Sequence, residues 1–212
     1  MPFANNLLVI APHTDDAELG CGGTIARLLE EGTMVHVAVF SSAEDSLPVG
    51  AAPGTLLDEF ERAMDVLAIP EAQRHVFDYK VRQMTEQRQS ILEALLHLRA
   101  DVRPDMVLVP SGNDLHQDHR VIHAEARRAF KEVTLWGYEL PWNHSTFSTQ
   151  AFVRIEQRHL DLKWRALQQY KTQIQLKRAY FTRNFIDGLA CVRGAQIKVD
   201  YAEAFDVVRV SV

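Results

Sequence analysis

Only two cysteines, Cys21 and Cys191, occur in 212 residues. Two thiols cannot staple a domain, so a disulfide framework is excluded and a reducing cytoplasm is the expected home. Basic excess is also missing. Lys plus Arg number 23 against 28 Asp plus Glu, a formal net charge of −5, and this excludes the basic face of a nucleic-acid binder. No apolar run approaches the roughly 18–20 residues of a membrane span, so no stable membrane insertion is expected. Met1 to Asn6 lacks the basic and apolar regions of a signal peptide. Repeats, low-complexity tracts and linkers are absent as well, which leaves one domain over residues 1–212. What is present is an ordinary globular mixture, 47% apolar and 24% charged, long enough to bury a substantial core.

Across the first 140 residues short apolar runs alternate with helical patterns. Leu7 to Ala11 is apolar on both faces and short, the pattern of a buried strand. Leu19 to Glu31 follows as a helix, with Gly32 placed to end it in a left-handed cap. Met34 to Phe40 reads as a second strand and Ser41 to Gly54 as a loop. Leu56, Leu57, Phe60, Met64 and Leu67 form one apolar stripe at helical spacing. Gln83 to Arg99 repeats it. Met106 to Val109 and Leu135 to Leu140 are strands. Ile155 to Lys177 reads as one long, charged helix, and Ala204 to Val210 as a late strand. Such alternation implies right-handed βαβ crossovers, hence an α/β, Rossmann-like, mostly parallel sheet with helices on both faces.

In such a sheet the ligand crevice lies beyond the carboxyl ends of the strands, and two polar clusters fall there. His13-Thr14-Asp15-Asp16-Ala17-Glu18 follows the first strand. Asn113-Asp114-Leu115-His116-Gln117-Asp118-His119 follows the strand ending at Pro110. Together they offer the His and Asp ligands that a catalytic zinc uses, three from the protein with a position left open. They also offer a non-ligand carboxylate as general base and a proton donor. Adjacent Asp15 and Asp16 can divide ligand and base between them. His116 and His119 would share a face if they begin a helix, and Asp118 can orient an imidazole. His123, four residues after His119, is an alternative partner for it.

These residues carry a resemblance. His13-Thr14-Asp15-Asp16-Ala17-Glu18 and the glycines after it resemble the signature of the PIG-L/LmbE de-N-acetylases, usually His-Pro-Asp-Asp-Xaa-Glu. His116-Gln117-Asp118-His119 is similar to their second motif, His-Pro-Asp-His, and the segment from Arg193-Gly194 to Phe205 to the closing segment of bacterial members. Thr14 and Gln117 replace the usual prolines. The resemblance implies one Zn2+ per chain held by His13, Asp16 and His119, with Asp15 as general base. It implies His116 as oxyanion stabiliser or proton donor to the leaving amine, with Asp118 behind it. The implied reaction is removal of an acetyl group from an N-acetylglucosamine-type sugar or its conjugate, a small-molecule amino-sugar substrate. Hydrolysis of a non-sugar or thiol-conjugate amide is the alternative. A metal- or nucleotide-binding module without catalysis is a third reading, and it gives Asp15 and His116 no task.

The remaining motifs read as structural. Gly20, Gly22 and Gly23 do not have the spacing of a dinucleotide loop, and acidic residues precede them, so they are expected to let a helix pack closely on the sheet. Cys21 is expected to be a small packing residue. Glu44 and Asp45 are expected to be solvated loop charges. Arg193, Tyr201 and Glu203 are candidates for the substrate mouth. His36, His75, His97, His144 and His159 are expected to be structural or at the surface. Trp142, in a loop, could stack on a sugar ring. If the chain forms a homo-oligomer, the long charged helix with Trp164, Leu167 and Tyr170 is where the interface would lie.

Overall fold

The computed structural model describes residues 3–211. Seven strands form one sheet in the order β3-β2-β1-β4-β5-β7-β6. These are β1 (Asn6–Ala11), β2 (Met34–Val39), β3 (Arg74–Val76), β4 (Met106–Pro110), β5 (Thr134–Tyr138), β6 (Ala151–Ile155) and β7 (Tyr201–Arg209). The first five pair in parallel, whereas β7 runs antiparallel to both β5 and β6. The helices are α1 (Asp16–Glu30), α2 (Thr55–Leu67), α3 (Arg88–Val102), α4 (Gln117–Ala129), α5 (Gln157–Leu167), α6 (Lys171–Gln175) and α7 (Arg183–Gln196). The expected α/β, mostly parallel architecture is the one observed.

Strand β1 explains why its sequence is apolar throughout. Leu7, Val9 and Ala11 pack on one side with Ile25 of α1, Phe60 of α2 and Leu160 of α5. Leu8 and Ile10 pack on the other with Ile91 of α3 and Ile122 of α4. Alternate residues of a strand face opposite sides, so a central parallel strand covered on both faces needs apolar side chains at every position.

Chain order and strand order reverse at the centre of the sheet. From β1 the chain moves outward through β2 to β3, then returns to place β4 on the other flank of β1. That reversal opens a crevice between the carboxyl ends of β1 and β4, the usual ligand position in an open α/β sheet.

Two expectations are corrected. The long helix over 155–177 does not form. Ile155 closes β6, and the charged run is broken into α5 and α6 around Gln168 to Tyr170. Leu167 and Tyr170 are fully buried and Trp164 packs against the core, so these three side chains are taken up by the chain's own core. The strand β3 and the helix α7 lacked a sequence signal strong enough to be read. Among the described residues no helix is long and apolar enough to cross a membrane.

Candidate metal centre and active site

Helix α1 starts at Asp16, with Asp15 in its N-cap position. His13 and Asp15 therefore lie in the tight connection between a buried strand and a helix, where successive side chains diverge. The second cluster is built the same way. His116 is the N-cap of α4, and its Nδ1 accepts the Asp118 backbone N–H at 3.2 Å. It stands before the helix and not on it, so His116 and His119 do not share a helical face. Their rings nevertheless converge, with centroids 4.6 Å apart.

Three side-chain atoms form a nearly equilateral triangle. His13 Nδ1 is 3.1 Å from Asp16 Oδ2, His119 Nε2 is 3.2 Å from His13 Nδ1, and His119 Nε2 is 3.2 Å from Asp16 Oδ2. Three ligands about 2.0–2.1 Å from one tetrahedral ion would stand about 3.3–3.4 Å apart, so the donor set fits a small divalent cation. The nitrogens of His13, His116 and His119 lie within 4.8 Å of one another and make a second candidate trio. In that trio His116 is the weaker member. Its Nδ1 is engaged by Asp118 N–H, so the neutral ring carries its proton on Nε2, a donor and not a ligand.

Outer partners set the other two imidazoles in the opposite sense. His119 Nδ1 donates to Asp114 Oδ2 at 2.7 Å, so Nε2 is the nitrogen turned toward the triangle. His13 Nε2 donates to Asp118 Oδ2 at 3.1 Å, leaving Nδ1 free. A carboxylate behind each ligand imidazole fixes its tautomer and raises its basicity. Asp118 thus stands behind His13, not behind His116 as expected. It meets His116 only through the backbone.

The electrostatics call for positive charge at the triangle. Burial would push His119 down, but the Asp16 charge and the Asp114 hydrogen bond outweigh it and push the ring up to about 10. Burial likewise opposes the charge on His13, and its bonds to Asp118 and Asp16 prevail and raise it. Burial would raise Asp16, yet His119 and His13 hold it far below the ordinary carboxylate range. For Asp15 the opposing pulls of His13, a backbone hydrogen bond and Arg178 are outweighed. Burial first, then the adjacent Asp16 charge, push it up to about 6. Burial and the neighbouring His119 and His13 push His116 down to about 4, so it is neutral at pH 7.

The triangle opens on a cavity of about 310 Å³, lined by Asp15, His116, Trp142, Asn143, Arg82, Arg178 and Tyr180 among others. The Trp142 ring stacks on Tyr180 with centroids 3.8 Å apart, so one face of Trp142 is already covered and the pair forms a wall. Arg82, Asn143, Arg178 and Tyr180 carried no signal in the sequence, because they lie on loops whose position only folding decides.

The closing-segment candidates fall elsewhere. Glu203 is buried, accepts the Gly23 and Thr24 backbone N–H groups at 3.0 and 2.6 Å, and pairs with Lys163 at 2.7 Å. Arg193 pairs with buried Glu139, and Tyr201 opens β7 against the core. None of the three lines the cavity. Glu44 accepts the Gly54 backbone N–H. His36 and His75 contact each other at 3.1 Å.

Two strand-end segments meet at the switch point, one bringing His13 and Asp16 and the other His119 to one small triangle. The sequence profile of the PIG-L family, described as GlcNAc-PI de-N-acetylase, matches residues 8–130, which include both clusters. The chain belongs to the PIG-L family. PIG-L enzymes are deacetylases, which hydrolyse an amide bond, and so is this one. A PIG-L relative from Escherichia coli, named uncharacterized deacetylase YaiS, is 26% identical over 175 residues, 78% of this chain and 90% of the relative. Among solved structures, the conserved protein TT1542 of Thermus thermophilus is similar at a TM-score of 0.79 and 26% identity, covering 98% and 96% of the two chains. The N,N'-diacetylchitobiose deacetylase of Pyrococcus horikoshii, with its inhibitor, shares the fold at a TM-score of 0.80 and 21% identity, over 97% and 84%.

Proposed function

We propose that this PIG-L enzyme is a zinc-dependent deacetylase of N-acetylglucosamine-type sugars or their conjugates, working in the cytoplasm. The observation that carries the reading is the triangle of His13 Nδ1, Asp16 Oδ2 and His119 Nε2, with each imidazole backed by a carboxylate. Those three atoms are the proposed ligands of one Zn2+. When bound, zinc lowers the pKa of water to roughly 7 and polarises the acyl carbonyl. Two nitrogens and one carboxylate oxygen suit zinc better than an all-oxygen cation such as magnesium. The Pyrococcus relative, named for diacetylchitobiose, and the family description favour an N-acetylated amino sugar. The two cysteines, both free, favour a reducing compartment.

The chain's own residues divide the reaction. Asp15, not a ligand and held near the titration range of a base, takes the proton from the attacking water. His116, neutral with its proton on Nε2, donates a hydrogen bond to the developing oxyanion, and Asp15 passes the proton it took from the water on to the departing amine. Asp118 and Asp114 hold His13 and His119 in the tautomers that the centre requires. The cavity, at the lower end of ligand-site volumes, suits one ring with its acyl group.

The test is metal analysis with an acetate-release assay on N-acetylated sugars, with N-acylated non-sugar and thiol-conjugate amides as the competing panel. About one zinc per chain is expected, and a chelator should abolish release until zinc is restored. Asp15→Asn should keep its zinc and lose about 10²- to 10⁴-fold in kcat. A near-normal rate in that variant would remove Asp15 from the role of base. Turnover of the non-sugar amides alone would move the substrate class.

A further inference from the structure

The floor of the cleft is acidic, with Asp15, Asp16, Asp114 and Asp118 grouped around the triangle. At its mouth the charge reverses. Arg82 and Arg178 both line the cavity and both are exposed. Among the described residues neither guanidinium meets a carboxylate. Arg82 donates one N–H to the Asp45 carbonyl at 3.1 Å. Arg178 bonds the Tyr180 hydroxyl and lies over that ring, 5.8 Å from its centroid.

Both are held in place. Arg82 has φ 67°, a left-handed conformation that a glycine would adopt without steric cost. Its backbone N–H donates to Asp118 Oδ2 at 2.6 Å, which ties this turn to the support of His13. Arg178 is bonded to the hydroxyl edge of Tyr180, whose ring lies on Trp142 at 3.8 Å and 10°. A planar guanidinium with free N–H groups is the residue type suited to two-oxygen anions.

We propose that Arg82 and Arg178 form an anion subsite at the mouth of the cleft, so that the preferred acylated amine carries a carboxylate or a phosphate remote from the amide. The proposal rests on the deacetylase reading above and narrows its substrate. The acidic floor repels the anion from the metal centre, and the two arginines hold it at the rim. Substrate charge thereby orients the acetyl group inward.

The experiment compares three N-acetylated sugars: N-acetylglucosamine, its 6-phosphate, and N-acetylmuramic acid as the carboxylate arm. Turnover is measured on the zinc-loaded native protein and on Arg82→Gln, Arg178→Gln and the matching Lys variants. Native protein should favour one anionic sugar over the neutral one by about 10- to 100-fold in kcat/KM, the range of a charge-assisted pair, and lose part of this in high salt. Each Gln variant should collapse the ratio, and Lys should restore part of it. The favoured arm tells carboxylate from phosphate. Calorimetric binding of the three sugars to Asp15→Asn, alone and combined with each Gln change, reads the same subsite without turnover. Anion binding lost with the arginines but with no sugar hydrolysed keeps the subsite and overturns the sugar-deacetylase reading. Hydrolysis with equal preference for neutral and anionic sugars, unchanged by Arg→Gln, overturns the subsite alone. Anion binding that survives both Gln changes places the anion elsewhere and overturns it too.

Discussion

Asp114 is buried and directs its Oδ2 to His119 Nδ1 at 2.7 Å, so its effect on a metal passes through the imidazole. Asp114→Ala should leave three ligands in place yet weaken zinc binding by about 10- to 100-fold, the usual cost of removing such a partner. Competition with a chelator of known affinity measures it, and unchanged affinity would show that His119 needs no support. Glu18 poses a different question. Tyr170 has one hydroxyl proton and two acceptors in reach, Thr14 O at 2.5 Å and Glu18 Oε1 at 2.6 Å. Burial pushes Glu18 up to about 8, against the opposing pull of its bond with Tyr170. Protonated, Glu18 donates to the Tyr170 oxygen, and Tyr170 donates onward to Thr14. The folded pKa lies above the unfolded one, so this contribution to stability is full below about pH 4.5 and is lost as pH rises toward about 8. Glu18→Gln cannot ionise and should flatten that part of the profile, by a few kcal/mol at most. Urea midpoints of both proteins from pH 5 to 8.5 provide the check, and parallel curves would refute it. The residue types at His13, Asp15, Asp16, His116, Asp118 and His119 were legible as zinc-hydrolase chemistry. Which carboxylate backs which imidazole was not, because Asp118 reaches His13 across 105 positions of chain.

At the scale of elements, α1 is the piece on which the site depends. It is bent at Cys21, whose backbone leaves helical geometry at φ −145° and ψ 23°, and the thiol is buried as a packing group. The bend lets the first turn present Asp16 while the rest of the helix lies close on the sheet. Gly20 permits the approach, since a Cβ there would sit 2.3 Å from the Tyr138 ring. That ring is fully buried and its hydroxyl is anchored to the Ile10 carbonyl at 3.1 Å, so it has little room to move. Gly20→Ala should cost about 1–3 kcal/mol by overpacking and displace Asp16 enough to reduce zinc content. Denaturant unfolding and metal analysis of one sample test both, and native-like stability would show that the ring yields. The close-packing reason for these glycines was readable from composition and spacing. Among the elements that were not, β3 and α7 show why. β3 is three residues long, and α7 spends much of its surface on solvent, so neither carries a strong periodic pattern.

For the whole molecule, the buried Lys163–Glu203 pair joins three elements that the sequence keeps far apart. Lys163 of α5 donates to Glu203 of β7 at 2.7 Å and to the Leu19 carbonyl of α1 at 2.9 Å. Glu203 in turn accepts two backbone N–H groups of α1. Lys163→Met would strand a buried carboxylate and should cost about 3–5 kcal/mol, whereas replacing both partners by apolar residues should cost less. A double-mutant cycle in urea decides, and additive losses would deny the coupling. The sequence by itself determined the fold class, through apolar strands alternating with amphipathic helices. It also determined the chemical class of the site, because residue types and their nearness to strand ends are local properties. Only the tertiary structure decided the closure of the triangle by His119, the pairing of Asp118 with His13, and the loops that bring Arg82, Arg178 and Tyr180 over the cleft. The physical reason is that these contacts are non-local. Each depends on where the sheet reverses and how closely α1 packs, and no window of sequence contains that information.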